Sequence, residues 1–496
     1  MKSRLMRAGP LALLCLLALP ASAFATSFDL QQAVDGKLSD TVAQNTLWVI
    51  VAAVLVLFMQ AGFAMLEIGF SRSKNAGTGV AKILTNLSIA AICYWAVGFA
   101  FAFGSADVLG ISGAILGSNG FFLEFSGNPV EAIPVMGVSD ATIEAKFLFQ
   151  FAFCAVSLAI VWGSTLERIK YSAYVIYAIV FAALIYPLGA HWIFGGGFLS
   201  EIGNGVQDFA GSTVVHLVGA TGALAALLLL GPRAGKYGAD GKPRVIPGHS
   251  MPLVGLGVLI LWLGWFGFNA GSTLGVGSDR FAEVALVTQL GAAGGVIAAS
   301  LVTWLKTKAL DVGMGGNGAI AGLVAITAPS GYVEFWAAPI IGLVAGLLVV
   351  VCVLAIDRHL DDPVGALSAH GLAGIWGTLA CGIFTSPRLA EFNGIGDPGL
   401  IYSGSLDQLG VQAVGVAAAF AMVFTLSYIT FAAIKATIGI RVSAEEEEAG
   451  LDIAAHGMYG YPEQFIPQSE MGGVVTDTPA ARPAPAPQPV TAEATA

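Results

Sequence analysis

The sequence predicts an all-α polytopic membrane protein with about eleven transmembrane helices, and three observations predict it. Of 496 residues, 56% are hydrophobic and only 11% charged, against about 25% charged in an ordinary soluble domain, and the mean hydropathy is +0.79. Apolar stretches near the roughly 20 residues that cross a bilayer recur at 46–69, 79–104, 142–163, 171–193, 209–231, 251–272, 281–305, 314–330, 335–356, 364–385 and 409–436. Basic residues collect in alternate loops: Arg72 and Lys74; Arg168 and Lys170; Arg233, Lys236, Lys242 and Arg244; Lys306 and Lys308; then Arg358. The loops between them carry little beyond Arg280 and Arg388. Basic loops stay in the cytoplasm, so the expected topology is N-out/C-in.

The ends divide by composition. Residues 1–25 open with MKSRLMR, continue as LALLCLLALP and finish in small residues, the pattern of a signal peptide cleaved near Ala23 or Ala25. The apolar run is too short to span. A short extracytoplasmic segment (26–45), the membrane domain (46–436) and a cytoplasmic tail (437–469) are expected to follow. Residues 470–496, rich in Pro and Ala, are expected to be disordered. The outer loop 105–141 carries Asp107, Glu124 and Glu131 and reads as a solvated cap. The net charge of −10 says little about partners, because much of it lies in loops and tail. Cys15, Cys93, Cys154, Cys352 and Cys381 show neither disulfide nor metal-ligand spacing. Glycine, 64 residues or about 13% against an average near 7%, suggests helices packed through small residues.

Two apolar segments each bury a histidine. In DFAGSTVVHLVGATG, Asp208 stands eight residues before His216; in DDPVGALSAHGLAGIWG, Asp362 stands eight before His370. An ionisable side chain at membrane depth is costly and marks a functional site by default. The repeat falls in the fifth and tenth helices. Two five-helix halves must have opposite orientation, so the plan is an inverted repeat plus a final helix, with the working site near the midplane.

The residue types limit the chemistry. Eight helical residues rise about 12 Å, so neither Asp can share a metal with its own His, and two imidazoles are too few protein ligands for zinc. No metal, cofactor or enzymatic activity is therefore expected. Asp208 and Asp362 read as caps for free backbone N–H groups at a helix start. In LWLGWFGFNAGS, Trp265, Phe268 and Ser272 share one face; in FQFAF, Phe149 and Phe153 lie one turn apart. An aromatic face with a hydroxyl can hold a small cation. A dehydrated path disfavours imidazolium, so the histidines are expected neutral. Nothing there replaces the hydration shell of an alkali cation. Ammonium fits both parts, as a cation that can shed its proton and proceed as ammonia.

The chain resembles the Amt/Rh ammonium transporter family, in its bacterial Amt branch, from about 46 to 461. The matching motifs are DFAGSTVVH (208–216), GWFGFNAGS (264–272), GAIAGLVAITAP (318–329), SAHGLAGIWG (368–377) and GLDIAAHGMYGY (450–461). The resemblance implies an eleven-helix homotrimer in the bacterial inner membrane, with one pore per subunit. His216 and His370 are then the paired pore histidines, and Phe153 and Phe268 the phenyl gate. Ser272, with Phe194 and Phe153, would form the outer ammonium site. Asp208 would shape that site without touching substrate, and Trp265 would line the pore below the gate. The tail motif, with Asp452, His456 and Gly457, implies regulation at the cytoplasmic face and a PII-type signalling partner.

One departure stands out. Where the family places Trp before a Gly-Gly-Gly run, HWIFGGG has Phe194, with Trp192 two residues earlier. Trp is the best cation–π platform, so weaker outer-site affinity is expected. Glu67, near the inner membrane edge, is expected to pair with Arg72 or Lys74 rather than to act in transport, and the run Glu445–Glu448 reads as a solvated face. The leading expectation is an ammonium transporter conducting ammonia, with the proton relayed along the histidines. The alternatives are an ammonium sensor and a passive Rh-type gas channel. Family sensors tend to carry a fused signalling domain, and roughly 60 residues after the last helix do not hold one.

Overall fold

The computed structural model describes residues 38–105, 113–125 and 133–465. The expected signal peptide, the Pro/Ala-rich tail, and Asp107 and Glu131 of the 105–141 loop lie outside the described residues. Among those described, the chain is helical, with isolated bridges at Ile169–Arg441 and Tyr237–Pro243 in place of any sheet. Among the described residues, ten helical spans are long and apolar enough to cross a bilayer. They are α1 (Asp40–Phe70), α2 (Ser73–Phe103), α3 (Ile143–Ser164), α4 (Tyr171–Ser200), α5 (Ser212–Leu230), α6 (Met251–Ala270), α7 (Arg280–Thr307), α9 (Ala337–Ile356), α10 (Leu367–Phe384) and α11 (Asp407–Thr437). A shorter apolar helix, α8 (Val312–Thr327), falls where the pattern places the span 314–330.

The helices α1 and α2 begin six residues earlier than their apolar patterns do. Ser39 caps α1 by accepting from the Val42 N–H, so the helix starts at its cap rather than at its first apolar residue. Burial separates the spans. Helices α3 and α5 are almost wholly enclosed, whereas α9 and α11 present wide apolar faces outward. Leu256, Leu259, Leu343 and Leu347 are among the exposed apolar side chains, as a lipid-facing surface requires. Glycine sets the tightest approach. A Cβ added at Gly295 would stand 2.2 Å from the Gly318 carbonyl oxygen, and one at Gly342 2.0 Å from that of Gly291. Helices α7, α8 and α9 therefore touch backbone to backbone, as small-residue interfaces permit in lipid.

The loops at one end are locked by a buried charge network. The Arg233 guanidinium grips Asp361 with bonds of 2.9 and 2.8 Å. Arg168, fully buried, donates to the Gly231 and Asp361 carbonyls at 2.9 and 2.7 Å. Glu167 accepts from the Arg72 backbone and guanidinium, both at 2.7 Å. Several basic residues that set the topology expectation thus also serve as internal struts. Burial alone would raise the Asp361 carboxyl, but the Arg233 hydrogen bond and the charges of Arg168 and Arg233 outweigh it and hold the group at about 2. A depressed carboxyl contributes stability that is present above about pH 4 and lost as pH falls through about 2. Thermal melts are therefore expected to fall steeply across that window. Asp361→Asn should be destabilised at neutral pH by about 3–5 kcal/mol, since it leaves buried arginines unpaired, and its melts should fall less steeply between about pH 4 and 2 than those of the parent. A parallel pH profile for variant and parent would refute this role.

Two expectations about inner charges are corrected. Glu67 pairs with neither Arg72 nor Lys74: Arg72 is taken by Glu167, and Lys74 Nζ donates to the Glu447 and Glu448 carbonyls. The run Glu445–Glu448 is not simply a solvated face. Ser443 and Glu446 form a capping box at Ala444–Ala449, which turns Glu447 inward. There its carboxylate accepts from the Ala234 N–H and the Arg441 guanidinium, both at 2.7 Å. Beyond Gly460 the chain forms a separate unit, whose described part is the short helix Pro462–Phe465.

Candidate functional site: a column of four rings

Four buried rings from four different helices line up through the interior. Phe153 on α3 stacks on Phe268 of α6, centroids 4.1 Å apart and planes within 9°. Phe268 lies 5.5 Å from the ring of His216 on α5, which lies 5.3 Å from that of His370 on α10. The two imidazoles meet Nδ1 to Nδ1 at 3.2 Å. That bond needs one donor and one acceptor, so two neutral rings must adopt opposite tautomers. His216 Nε2 has no partner among the described residues although it is buried, which leaves a polar edge for a small molecule. Trp265 flanks the column, 5.1 Å from the His216 ring, and its indole N–H is held by Thr327 at 2.8 Å.

Local backbone chemistry aims these rings. Both histidines and Phe268 sit in π-helical turns, Ser212–Leu217, Leu367–Leu372 and Phe266–Ala270. A π-turn inserts one residue into the helical repeat and shifts the side chains that follow, and such turns are frequent at functional sites. Each histidine turn is capped by the Asp eight residues upstream, as the sequence suggests. Asp208 accepts four backbone N–H groups, from Gly211, Ser212, Thr213 and Val214, at 2.8–3.0 Å. Asp362 accepts from the Leu367 N–H at 2.8 Å and the Ser164 hydroxyl at 2.9 Å. Thr213 and Thr378 join the two histidine helices through their hydroxyls at 2.6 Å.

Each end of the column opens differently. Phe153 forms part of the floor of a vestibule of about 800 Å³ that Phe194, Asp208 and Ser272 also line. Ser272 there spends its hydroxyl proton on the Phe268 carbonyl, at 2.8 Å, leaving its oxygen lone pairs free for a donor. Trp192 is not among the residues lining the vestibule; its indole N–H bonds the Ile115 carbonyl at 3.0 Å and its ring packs on Phe198. Phe194 therefore stands at the vestibule without Trp192 as a substitute. At the far end His370 faces a cavity of about 20 Å³, shared with Phe63 and Glu67 of α1 and Asn317 of α8. Sequence reasoning missed Phe63, although Phe63 and Glu67 lie one turn apart on one helix face. The tail residues are placed elsewhere. Asp452 accepts from the Gly77 and Thr78 N–H groups and the Thr78 hydroxyl at 2.8–3.0 Å, binding the tail to the start of α2. His456 packs edge-on against Tyr171, and Gly457 ends its turn at a φ of +69°.

A bundle of apolar spans enclosing a buried column of rings, with a wide vestibule at one end and a small cavity at the other, defines a polytopic membrane protein with an interior site. The profile of the Ammonium Transporter Family matches residues 47–461, and the chain belongs to that family. Among its relatives, ammonium transporter Amt2 of Archaeoglobus fulgidus is 44% identical over 86% of this chain and 89% of its own. The ammonium transporter of Aquifex aeolicus is 34% identical over 84% and 93%. Of solved structures, a sensor Amt protein superposes with a TM-score of 0.75 at 35% identity, over 84% of this chain and 99% of its own. Mep2 of Candida albicans does so at 0.74 and 28% identity, over 84% and 90%. The two named sequence relatives are ammonium transporters rather than enzymes.

Proposed function

We propose that the protein is an ammonium transporter of the bacterial inner membrane, oriented N-out/C-in and working as a homotrimer after signal-peptide cleavage. The vestibule is the outer mouth. Ammonium is held there by the faces of Phe153 and Phe194 and by the Ser272 oxygen, with the Asp208 charge nearby. It gives up its proton before the stacked phenyl rings, because a bare cation gains nothing from the apolar column to replace its water. Ammonia then passes Phe153 and Phe268 and hydrogen-bonds along the two imidazoles, while the proton is relayed through the Nδ1–Nδ1 contact. The observation that carries this reading is that contact, 3.2 Å between two buried rings directly beneath an aromatic stack. The tail at Asp452, His456 and Gly457 is the regulatory surface in this reading, offered to a PII-type protein.

The test is charge movement in proteoliposomes after a jump in external ammonium, with potassium as control. A sustained ammonium current with none for potassium is expected. A change of internal pH without current would mean neutral ammonia flux. Neither signal would favour the sensor reading, which the likeness to the sensor Amt protein keeps open.

A further inference from the structure

Among the described residues, Glu67 is a buried carboxyl group near the inner end of α1 to which the proposed transport path gives no part. It is 1% exposed, and neither of its oxygens has a hydrogen-bond partner among the described residues. It lines the cavity that His370 lines, with Phe63 one turn before it on α1, Gly163 on α3 and Asn317 on α8. Helix α3 comes close here: a Cβ on Gly163 would stand 3.8 Å from Glu67 Oε1. The cavity, about 20 Å³, holds one molecule the size of water or ammonia.

Among the described residues, the opposing charge acting on Glu67 is that of Lys82 of α2, which is fully buried and whose Nζ also lacks a hydrogen-bond partner there. Two buried ionisable groups kept only to stabilise a fold would be held in contact and saturated with hydrogen bonds, because the desolvation cost is otherwise not recovered. Here the carboxyl oxygens are without a partner among the described residues, and Glu67 lines a space one N–H donor can fill.

Resting on the transport reading above, we propose that Glu67 is the inner proton acceptor of the pore, taking the proton relayed by the histidine pair and returning it to ammonia in the cavity beside His370. The balance is simple. The proton lost by ammonium at the outer mouth leaves His370 by breaking an N–H bond and forms an O–H bond on Glu67. That O–H bond breaks as ammonia in the cavity gains its fourth N–H bond. Ammonium leaves, and Glu67 returns to the carboxylate. Lys82 balances the carboxylate charge between cycles without touching the ammonia.

The experiment compares the full-length protein with Glu67→Gln in proteoliposomes, reading ammonium-evoked current and internal pH together. Glutamine keeps the size and an acceptor oxygen but cannot carry the proton. The variant is expected to lose at least about tenfold of the current, a barrier increase of about 1.4 kcal/mol, while an ammonia-driven pH change persists. A Glu67→Gln current within twofold of the parent overturns the proposal and leaves the transport reading standing. A parent that moves ammonia without current also overturns it, and a parent with neither signal overturns both. If Glu67→Gln does not assemble, infrared difference spectra of the parent decide. Added ammonium must change a buried carboxyl C=O band that Glu67→Asp shifts, and absence of such a band overturns the proposal.

Discussion

Replacing His216 and His370 together by alanine is expected to abolish selective ammonium flux. The two imidazoles are the polar groups of the ring column, 3.2 Å apart at Nδ1 and enclosed by Phe268, Trp265 and Phe63. Ammonia crossing that stretch exchanges hydrogen bonds with water for bonds with the rings. Without them it loses about two bonds at about 1–1.5 kcal/mol each, which slows passage by roughly 100-fold. The shortened side chains also leave space. Water entering it would let potassium follow, so the loss can register as failed discrimination rather than as a smaller current. The double variant, measured against ammonium and potassium jumps in the same vesicles, must show one or the other. Parent-like current with parent-like selectivity would remove the histidines from the mechanism.

Asp208→Ala is expected to be the most damaging single change near the site. Four backbone N–H groups converge on one buried carboxylate, and alanine leaves all four without an acceptor. A buried unsatisfied donor costs about 1–3 kcal/mol. Even with partial relaxation the loss should exceed about 3 kcal/mol, large against a typical net stability of about 5–15 kcal/mol. The effect reaches the site because those donors begin the π-turn that carries His216. Asp208→Asn retains one acceptor oxygen and should fall between alanine and the parent. The measurements are thermal unfolding in detergent and ammonium current. An alanine variant melting within 2 °C of the parent would show that the cap is dispensable, since about 3 kcal/mol should shift the midpoint by more than that.

The residues differ in how much of their placement could be read beforehand. The spans were legible because a bilayer imposes a length and a composition on every crossing, and the Asp-x7-His repeat because an ionisable ring is conspicuous in an apolar run. Asp208 and Asp362 were legible as caps, since a carboxylate at a helix start has few other uses. Glu67 was misread. Sequence proximity favoured Arg72 and Lys74, but Arg72 is captured by Glu167, 95 residues away, and nothing local signals that. The same holds for Glu447, whose inward turn depends on a capping box and on Arg441. The stand-off of Trp192 from the vestibule depends on a carbonyl 77 residues distant.

By itself, then, the sequence determined the solvent the chain lives in, the rough extent of its apolar helices, and which ionisable residues must lie among them. Those properties follow from local composition, since transfer free energy is summed residue by residue. Tertiary structure alone decided which side chains meet. Phe153, Phe268, His216 and His370 come from four helices and form one column because close glycine contacts, Gly219 of α5 on the Ser157 carbonyl of α3 and Gly374 of α10 on the Ser212 carbonyl of α5, set helix spacing and π-turns set the rotation of three of the rings. Neither quantity is additive along the chain. The same packing left Glu67 facing His370 across a space for one small molecule.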